Sequence, residues 1–421
     1  MSAVVSATEE PMEIGSSTLK ASLRRAERKK RRGAFLLTTP LLLFIGVMFL
    51  LPLVSMFWLS VSNLTIPSYM PKTVAALSGW DAKTLPPETA YAAVAADLKA
   101  AFKHHTFGRI GKRLNEESPG SFGLINKSTF RTAHLAPPTS WKTTLEKIDP
   151  AWGKMPIWRL LKRESNYFTA DFYLAAVDLQ YGDDGSIQRV PAYARVYIPL
   201  FIRTIWMSLL VTVLTLVLGY PLAYWISRMP DSKANLMMIA VLLPFWTSLL
   251  VRITAWIVLL QSHGVINSAL VNSGLVADAH RPQLINNGLG TVIVMTQVLL
   301  PFMVLPLYSV MRGIPDFYVR AAVSLGSHPW RAFWRVFAPL TLPGIGAGAL
   351  LVFILSIGYY ITPELVGGQT GQFISNRIAY NVQQSLNWGL AAALGTILTG
   401  LTLGLFAIYS FIAGAGKVSF G

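Results

Sequence analysis

Arg252 is a guanidinium set inside an apolar run. It lies eight residues after Pro244, and nine more apolar-rich residues follow it. A charge at that depth costs about 2.5–3.5 kcal/mol on insertion scales, so such residues face a cavity or another subunit. The competing reading ends the helix near Val251 and lets the side chain snorkel to the interface. Trp246 and Trp256 flank Arg252, and Tyr359 and Tyr360 close a later apolar run. Their ring faces can hold a cation. Glu364 is the nearest carboxylate to any apolar run. These six residues are the candidates for lining a pathway. Covalent chemistry finds little footing. The chain has no cysteine, which removes thiolate ligands and nucleophiles. His104-His105 has no third metal ligand near it in sequence. No serine–histidine or paired-carboxylate set lies within the apolar runs, and no Gly-x4-Gly-Lys-Ser/Thr phosphate loop occurs. The expectation is a chain that is not an enzyme, with no metal and no cofactor of its own.

Composition says what must position these residues. Of 421 residues, 53% are hydrophobic and 13% are charged, against about 25% charged in soluble domains. Mean hydropathy is +0.47. A polytopic membrane protein follows. The net charge of +16 does not point to nucleic acid, because the basic residues gather at the ends of apolar segments, as topology signals do.

Six apolar segments are long enough to cross a bilayer: about 34–61, 202–227, 235–261, 288–311, 344–363 and 389–415. The first is too long for a signal-peptide core. Eight basic residues between Lys20 and Arg32 precede it and place the N terminus in the cytoplasm. Alternation then puts Arg228, Lys233, the loop with Arg312, Arg320, Arg331 and Arg335, and Lys417 on the same side. The expected fold is all-α, with six transmembrane helices and both termini cytoplasmic. A basic tail (1–33) leads into helix one (34–61). A largely helical periplasmic insert (62–197) follows, then a helical core (198–415) with a cytoplasmic loop at 312–341, and a short cytoplasmic tail (416–421). In the insert, 87–102 and 152–163 read as helices and Gly182–Gly185 as a turn. Lacking disulfides, the insert needs a core of its own or a partner to dock on.

Arg203 reads as a snorkelling residue at the start of helix two. Pro244 and Pro301 read as kinks or hinges. The stretch 358–368 reads either as a gate or re-entrant turn or as a plain loop.

The segment Ile314 to Pro339 is a charged, two-part helical element between apolar runs. Pro315 and Asp316 suit a first turn. Gly326 suits a left-handed C-terminal cap. Ser327 is placed to cap the next helix, and Pro329 to open it. Trp330, Phe333, Trp334 and Phe337 then recur at i, i+3, i+4 and i+7 and form one aromatic stripe. Such a stripe needs a cover. It either fits a groove on a soluble partner or lies in the membrane interface.

The Ala321-Ala322, Gly326 and Val336-x-x-Pro339 spacing resembles the cytoplasmic coupling loop of importer permeases driven by ATP-binding cassettes. Further segments resemble the spermidine/putrescine-type permeases: Gly219–Tyr224, Leu243–Trp256, Gly264–Asn267, Leu300–Leu307, Thr362–Gly368 and Asn387-Trp388. Together they cover residues 200–415. The resemblance implies a bacterial inner-membrane chain forming half of a pathway. The solute would be a polyamine or a related cationic or amino-acid-like compound. It implies a second homologous permease, two ATP-binding cassette subunits that bind the ATP, and a periplasmic solute-binding protein. It also implies membrane lipid around the chain and no nucleic acid. Ala321, Ala322, Gly326, Trp330, Phe333 and Trp334 would dock the ATPase. Two positions depart from the pattern: Arg320 stands where glutamate is usual, and Tyr359 follows Gly358 where an acid is frequent. Rival readings are an ion-gradient-driven secondary transporter, which asks for acids within the spans, and a membrane-anchored assembly protein acting through the insert.

Overall fold

The computed structural model describes residues 35–415 except 36 and 183. The basic tail, the C-terminal tail and Lys417 lie outside the described residues. Helix α1 (Leu37–Val61) has a mean hydropathy of 2.5 and carries no charged residue. A helix apolar on every face suits lipid rather than water. One π-turn, Gly46–Leu50, interrupts it.

The core is built from α2 (Tyr197–Ser227), α3 (Leu249–Leu260), α4 (Gly288–Arg312), α5 (Leu342–Gly358) and α6 (Trp388–Ala415). Helices α2, α4 and α5 pack on one another around Met207, Val211, Met295, Met303, Val304 and Val352. Small residues permit the close approach. A side chain at Gly348 would meet the Met303 backbone, and one at Gly344 would meet Pro306 and Val310. Pro301 and Pro306 sit inside an unbroken α4, so they mark no hinge-like break.

Among the described residues, five helices are long and apolar enough to span a membrane. A sixth is reached when α5 is joined to the helix before it, from which it bends by 59°. The third span differs from the expected 235–261. Helix Asp231–Leu242 ends in a 3₁₀ turn at Leu243–Trp246, and Thr247 is extended before α3 begins. Pro244 supplies no N–H to continue the α-helix. The long apolar stretch runs instead from Leu249 to Asn272.

The insert has its own core. Tyr91, Trp152 and Trp158 are fully buried among Ile66, Leu98, Ile110, Leu145 and Leu161. Their polar tips are satisfied. The Tyr91 hydroxyl donates to the Trp152 carbonyl (3.1 Å), Trp158 Nε1 to the same carbonyl (2.8 Å), and Trp152 Nε1 to Ser128 Oγ (2.8 Å). The two expected helices are present as Glu88–Lys103 and Met155–Glu164. The expected turn joins a small hairpin of Leu179–Tyr181 and Ile187–Arg189.

A buried charged hub ties the insert together. The Arg113 guanidinium reaches Glu117 (2.8 Å), Glu164 (2.9 Å) and Asp171 (3.5 Å). Asp171 opens the helix Asp171–Ala176, which packs on α6 through Phe172 and Ala176. Gly389 of α6 has no room for a side chain under the Phe172 ring. The hub thus leads directly to the contact between insert and core.

Candidate functional site

The Ile314 to Pro339 segment folds as two short helices joined at Gly326. The first, Phe317–Ser324, closes with Gly326 at φ +90°. The Gly326 N–H donates to the Val323 carbonyl (2.9 Å) and the Ser327 N–H to the Ala322 carbonyl (3.0 Å). This paired closure is the Schellman arrangement. It also corrects the expected role of Ser327. That residue closes the first helix, and the cap of the second, Pro329–Ala332, is His328, whose Nδ1 accepts from Trp330 N (3.3 Å). Pro329 sits in the first turn, as the sequence predicts.

The aromatic stripe divides into two faces. The chain widens into a π-turn at Phe333–Phe337, which rotates successive side chains away from a strict 3.6-residue period. Phe337 is fully buried and Phe333 half-buried. Both pack edge-on against α2: Phe333 lies 5.3 Å from the Tyr224 ring and 6.3 Å from Tyr220, and Phe337 lies 5.2 Å from Tyr224. Trp330 and Trp334 stay 66% and 54% exposed. Phe317, Tyr318 and Leu325 are exposed beside them, while Ala321 and Ala322 are half-buried. Large exposed apolar patches of this kind mark interaction surfaces.

One ion pair fixes this platform to the bundle, and a second braces the helix ends beneath it. Arg228, just past α2, pairs with Asp316 and lies over the rings of Tyr224 (5.3 Å) and Phe337 (4.9 Å). Arg312 pairs with Asp231 and donates to the Ser227 and Met229 carbonyls (2.8 and 2.9 Å). Tyr220 and Thr341 share a hydroxyl hydrogen bond (3.2 Å). Sequence reasoning read Arg228 and Arg312 only as topology signals. The i, i+4 tyrosines of the Gly219–Tyr224 motif were the available sign of the aromatic seat.

The six pathway candidates do not form one cluster. Arg252 is half-buried and turns back on its own chain. Its guanidinium donates to the carbonyls of Pro244 and Thr247 (3.2 Å for Thr247) and lies 5.8 Å from the Phe245 ring. It therefore serves carbonyls freed by the break at Pro244. Trp256 donates from Nε1 to Gln297 of α4 (3.1 Å) and shares an apolar cluster with Tyr359. Trp246 is 76% exposed at the break. The stretch after α5 is neither a plain loop nor a continuation of the span. It forms a short helix, Ile361–Val366, packed on α3 and α4. Ser375 Oγ donates to the Tyr359 carbonyl (2.6 Å), and Asn376 Nδ2 donates to the Tyr360 carbonyl (3.0 Å) and to the exposed Glu364 carboxylate (2.6 Å). Gly368, at φ +50°, lies against the Asn286 backbone, where a Cβ would not fit.

One acidic group among the described residues has ligand-like spacing: Glu117, Glu164 and Asp171 lie with carboxylate oxygens within 4.8 Å of one another. Arg113 and Arg163 already occupy it. Burial pushes the Glu164 carboxyl up to about 9. Arg113 opposes the shift, while Asp171 and Glu117 add to it. Burial thus shifts Glu164 toward its protonated form. His104 and His105 are not part of this group.

Residues 194–414 match the model of the binding-protein-dependent transport system inner membrane component. The chain belongs to that family. It is a multi-pass inner-membrane permease component of an ABC importer. The spermidine/putrescine transport system permease protein PotB of Haemophilus influenzae is 34% identical over 52% of this chain and 77% of that protein. PotB of Escherichia coli K12 is 32% identical, covering 51% of this chain and 79% of its own length. The inner membrane ABC transporter permease protein YdcU of Escherichia coli K12 is 34% identical over 50% and 70%. A solved bacterial alginate ABC transporter, in complex with an alginate pentasaccharide-bound periplasmic protein, aligns at 20% identity with a TM-score of 0.40, over 51% of this chain and 78% of that one. The matched residues of this permease family begin at 194, so most of the insert lies outside them.

Proposed function

We propose that this permease forms one of two membrane halves of a polyamine-type importer, moved by ATPase subunits that grip the Ile314 to Pro339 platform from the cytoplasm. The observation that carries the reading is the division of the aromatic stripe. Phe333 and Phe337 anchor the platform to α2, and Trp330 and Trp334 stand outward beside Phe317 and Leu325. A partner that pushes on the tryptophans moves rings seated in α2. A rigid lever of this kind can convert closure of a motor into rocking of helices. Ala321, Ala322 and Gly326 shape the near edge of the same surface. ATP binds to the partner, since the chain carries no phosphate loop.

The solute reading rests on the PotB relatives and on exposed groups at the other end of the bundle. Tyr360 and Glu364, just past α5, offer a ring face and a carboxylate to a cation. Delivery would come from a periplasmic binding protein on that side, and the second half from a homologous permease. The ion-gradient reading has no acid to use, because α1 to α6 contain no aspartate or glutamate.

The test is uptake of radiolabelled spermidine into proteoliposomes holding this chain with its co-purified subunits. Accumulation should require ATP and vanish when the ATPase is inactivated. Accumulation that survives loss of the ATPase would contradict the motor reading. ATP-driven accumulation of another solute, with spermidine excluded, would contradict only the solute reading.

A further inference from the structure

At the end of the bundle that carries the insert, three guanidinium groups open on one cavity of about 360 Å³. Arg195 precedes α2, Arg203 lies in its second turn, and Arg377 stands on the helix Ile374–Gln383. Val196, Pro199 and Leu200 supply an apolar wall. Each arginine is held by a carbonyl or a ring. Arg203 donates to the Gln369 carbonyl (2.9 Å), Arg195 to the Val190 carbonyl (2.7 Å), and Arg377 lies 5.1 Å from the Tyr380 ring centroid. Among the described residues, none of the three pairs with a carboxylate. Asp178, close by in the fold, accepts the N–H groups of Val196, Tyr197 and Ile198 (3.0, 3.1 and 2.8 Å) and so caps α2.

Like charges around one cavity repel unless an anion sits among them. A guanidinium has five N–H donors in a planar fork that matches phosphate oxygens, and most of these donors remain uncommitted here. Depth narrows the choice of anion. Helix α2 has 31 residues, about 46 Å at 1.5 Å per residue, against a hydrocarbon core of about 30 Å. The overhang is about 8 Å at each end, and Arg203 lies about 9 Å along the axis from Tyr197. The arginines therefore ring the boundary where lipid phosphates lie, with an apolar wall beside them for the adjoining glycerol.

We propose that this cavity holds a phosphate group, supplied by an anionic lipid headgroup or by free phosphate in the water on that side. The test compares the full-length chain with the triple variant Arg195→Gln, Arg203→Gln, Arg377→Gln in nanodiscs. One arm uses phosphatidylcholine doped with phosphatidylglycerol and scores phosphatidylglycerol retained through detergent exchange by native mass spectrometry. The other uses pure phosphatidylcholine and measures binding of radiolabelled inorganic phosphate. The native chain should retain phosphatidylglycerol that the variant loses, or bind phosphate about tenfold more tightly. The first result assigns the lipid as the source and the second the free ion. A triple lysine variant keeps the charge and should keep part of the binding, which separates anion loss from misfolding. Equal behaviour of native chain and glutamine variant in both arms would overturn the proposal. So would a variant that keeps both ligands and loses only an acidic soluble protein.

Discussion

The divided aromatic stripe makes a prediction with two halves. Phe337 is fully buried and sits against Tyr224, Phe333 and Arg228. Truncation of a buried phenylalanine costs about 3–5 kcal/mol, so Phe337→Ala should cost the folded chain roughly 3 kcal/mol. Trp330 and Trp334 are more than half exposed, and surface substitutions usually fall within about 0.5 kcal/mol. The double change Trp330→Ala, Trp334→Ala should therefore leave thermal unfolding almost unmoved. Its effect belongs to docking. Tryptophan anchors at interfaces carry about 2 kcal/mol or more, so losing two should weaken binding of the ATPase subunit by well over about 30-fold. Tryptophan loss complicates intrinsic fluorescence, so unfolding is best followed by circular dichroism in nanodiscs, and binding with an immobilised ATPase subunit. Unchanged affinity in the double variant would refute the reasoning. An equal loss of stability in both variants would also do so, since it would mean that the tryptophans are packed and not presented.

Three other perturbations follow from the same geometry. Gly326→Val should strain the φ +90° position, where open space surrounds the missing side chain, by about 1–2 kcal/mol. It should reduce co-purified ATPase more than it reduces the amount of permease in membranes; recovery of a full complement of ATPase would count against it. Arg252→Ala removes the donor to Pro244 and Thr247. It should lower the yield of folded chain by membrane fractionation, with Arg252→Lys intermediate, and a normal yield with altered transport would return Arg252 to the pathway. For Glu164, the folded state holds a proton that the unfolded chain releases from its ordinary value of 4.5 upward. Stability tied to that proton is complete below 4.5 and declines as pH rises toward about 9. Glu164→Gln should flatten the fall in melting temperature between neutral pH and about 9, and an unchanged slope would show that the carboxyl is not the titrating group.

Much of the fold was legible because lipid imposes a simple rule. Long apolar runs at α1, α2, α4 and α6 announced themselves, and their bounds moved by only a few residues. The third run misled because Pro244 breaks helix geometry without breaking hydropathy, so the apolar pattern continued across a turn. At the platform, glycine and proline chemistry gave the bend at Gly326 and the start at Pro329. Ser327 was misread because local preference cannot say which of two helices will use a residue's backbone N–H. The stripe of four aromatics was visible, but its division was not, since a π-turn depends on packing against Tyr220 and Tyr224. Arg252 shows the same limit. Its depth in the run was clear, yet its partners are carbonyls exposed only once the helix has broken. The reach of Arg113 to Glu164 and Asp171 and the Phe172–Gly389 contact join residues far apart in sequence, and no local signal marks them.

The central claim is that the bent aromatic segment faces the cytoplasm and is covered by a motor. Because the chain has no cysteine, a single Leu325→Cys reports on this position alone, and Leu325 is 89% exposed. A membrane-impermeant maleimide should label it in inside-out vesicles, fail to label it in right-side-out vesicles, and be blocked when the ATPase subunit is added. Labelling from the outer face, or labelling from the inner face that the ATPase does not slow, would contradict the account.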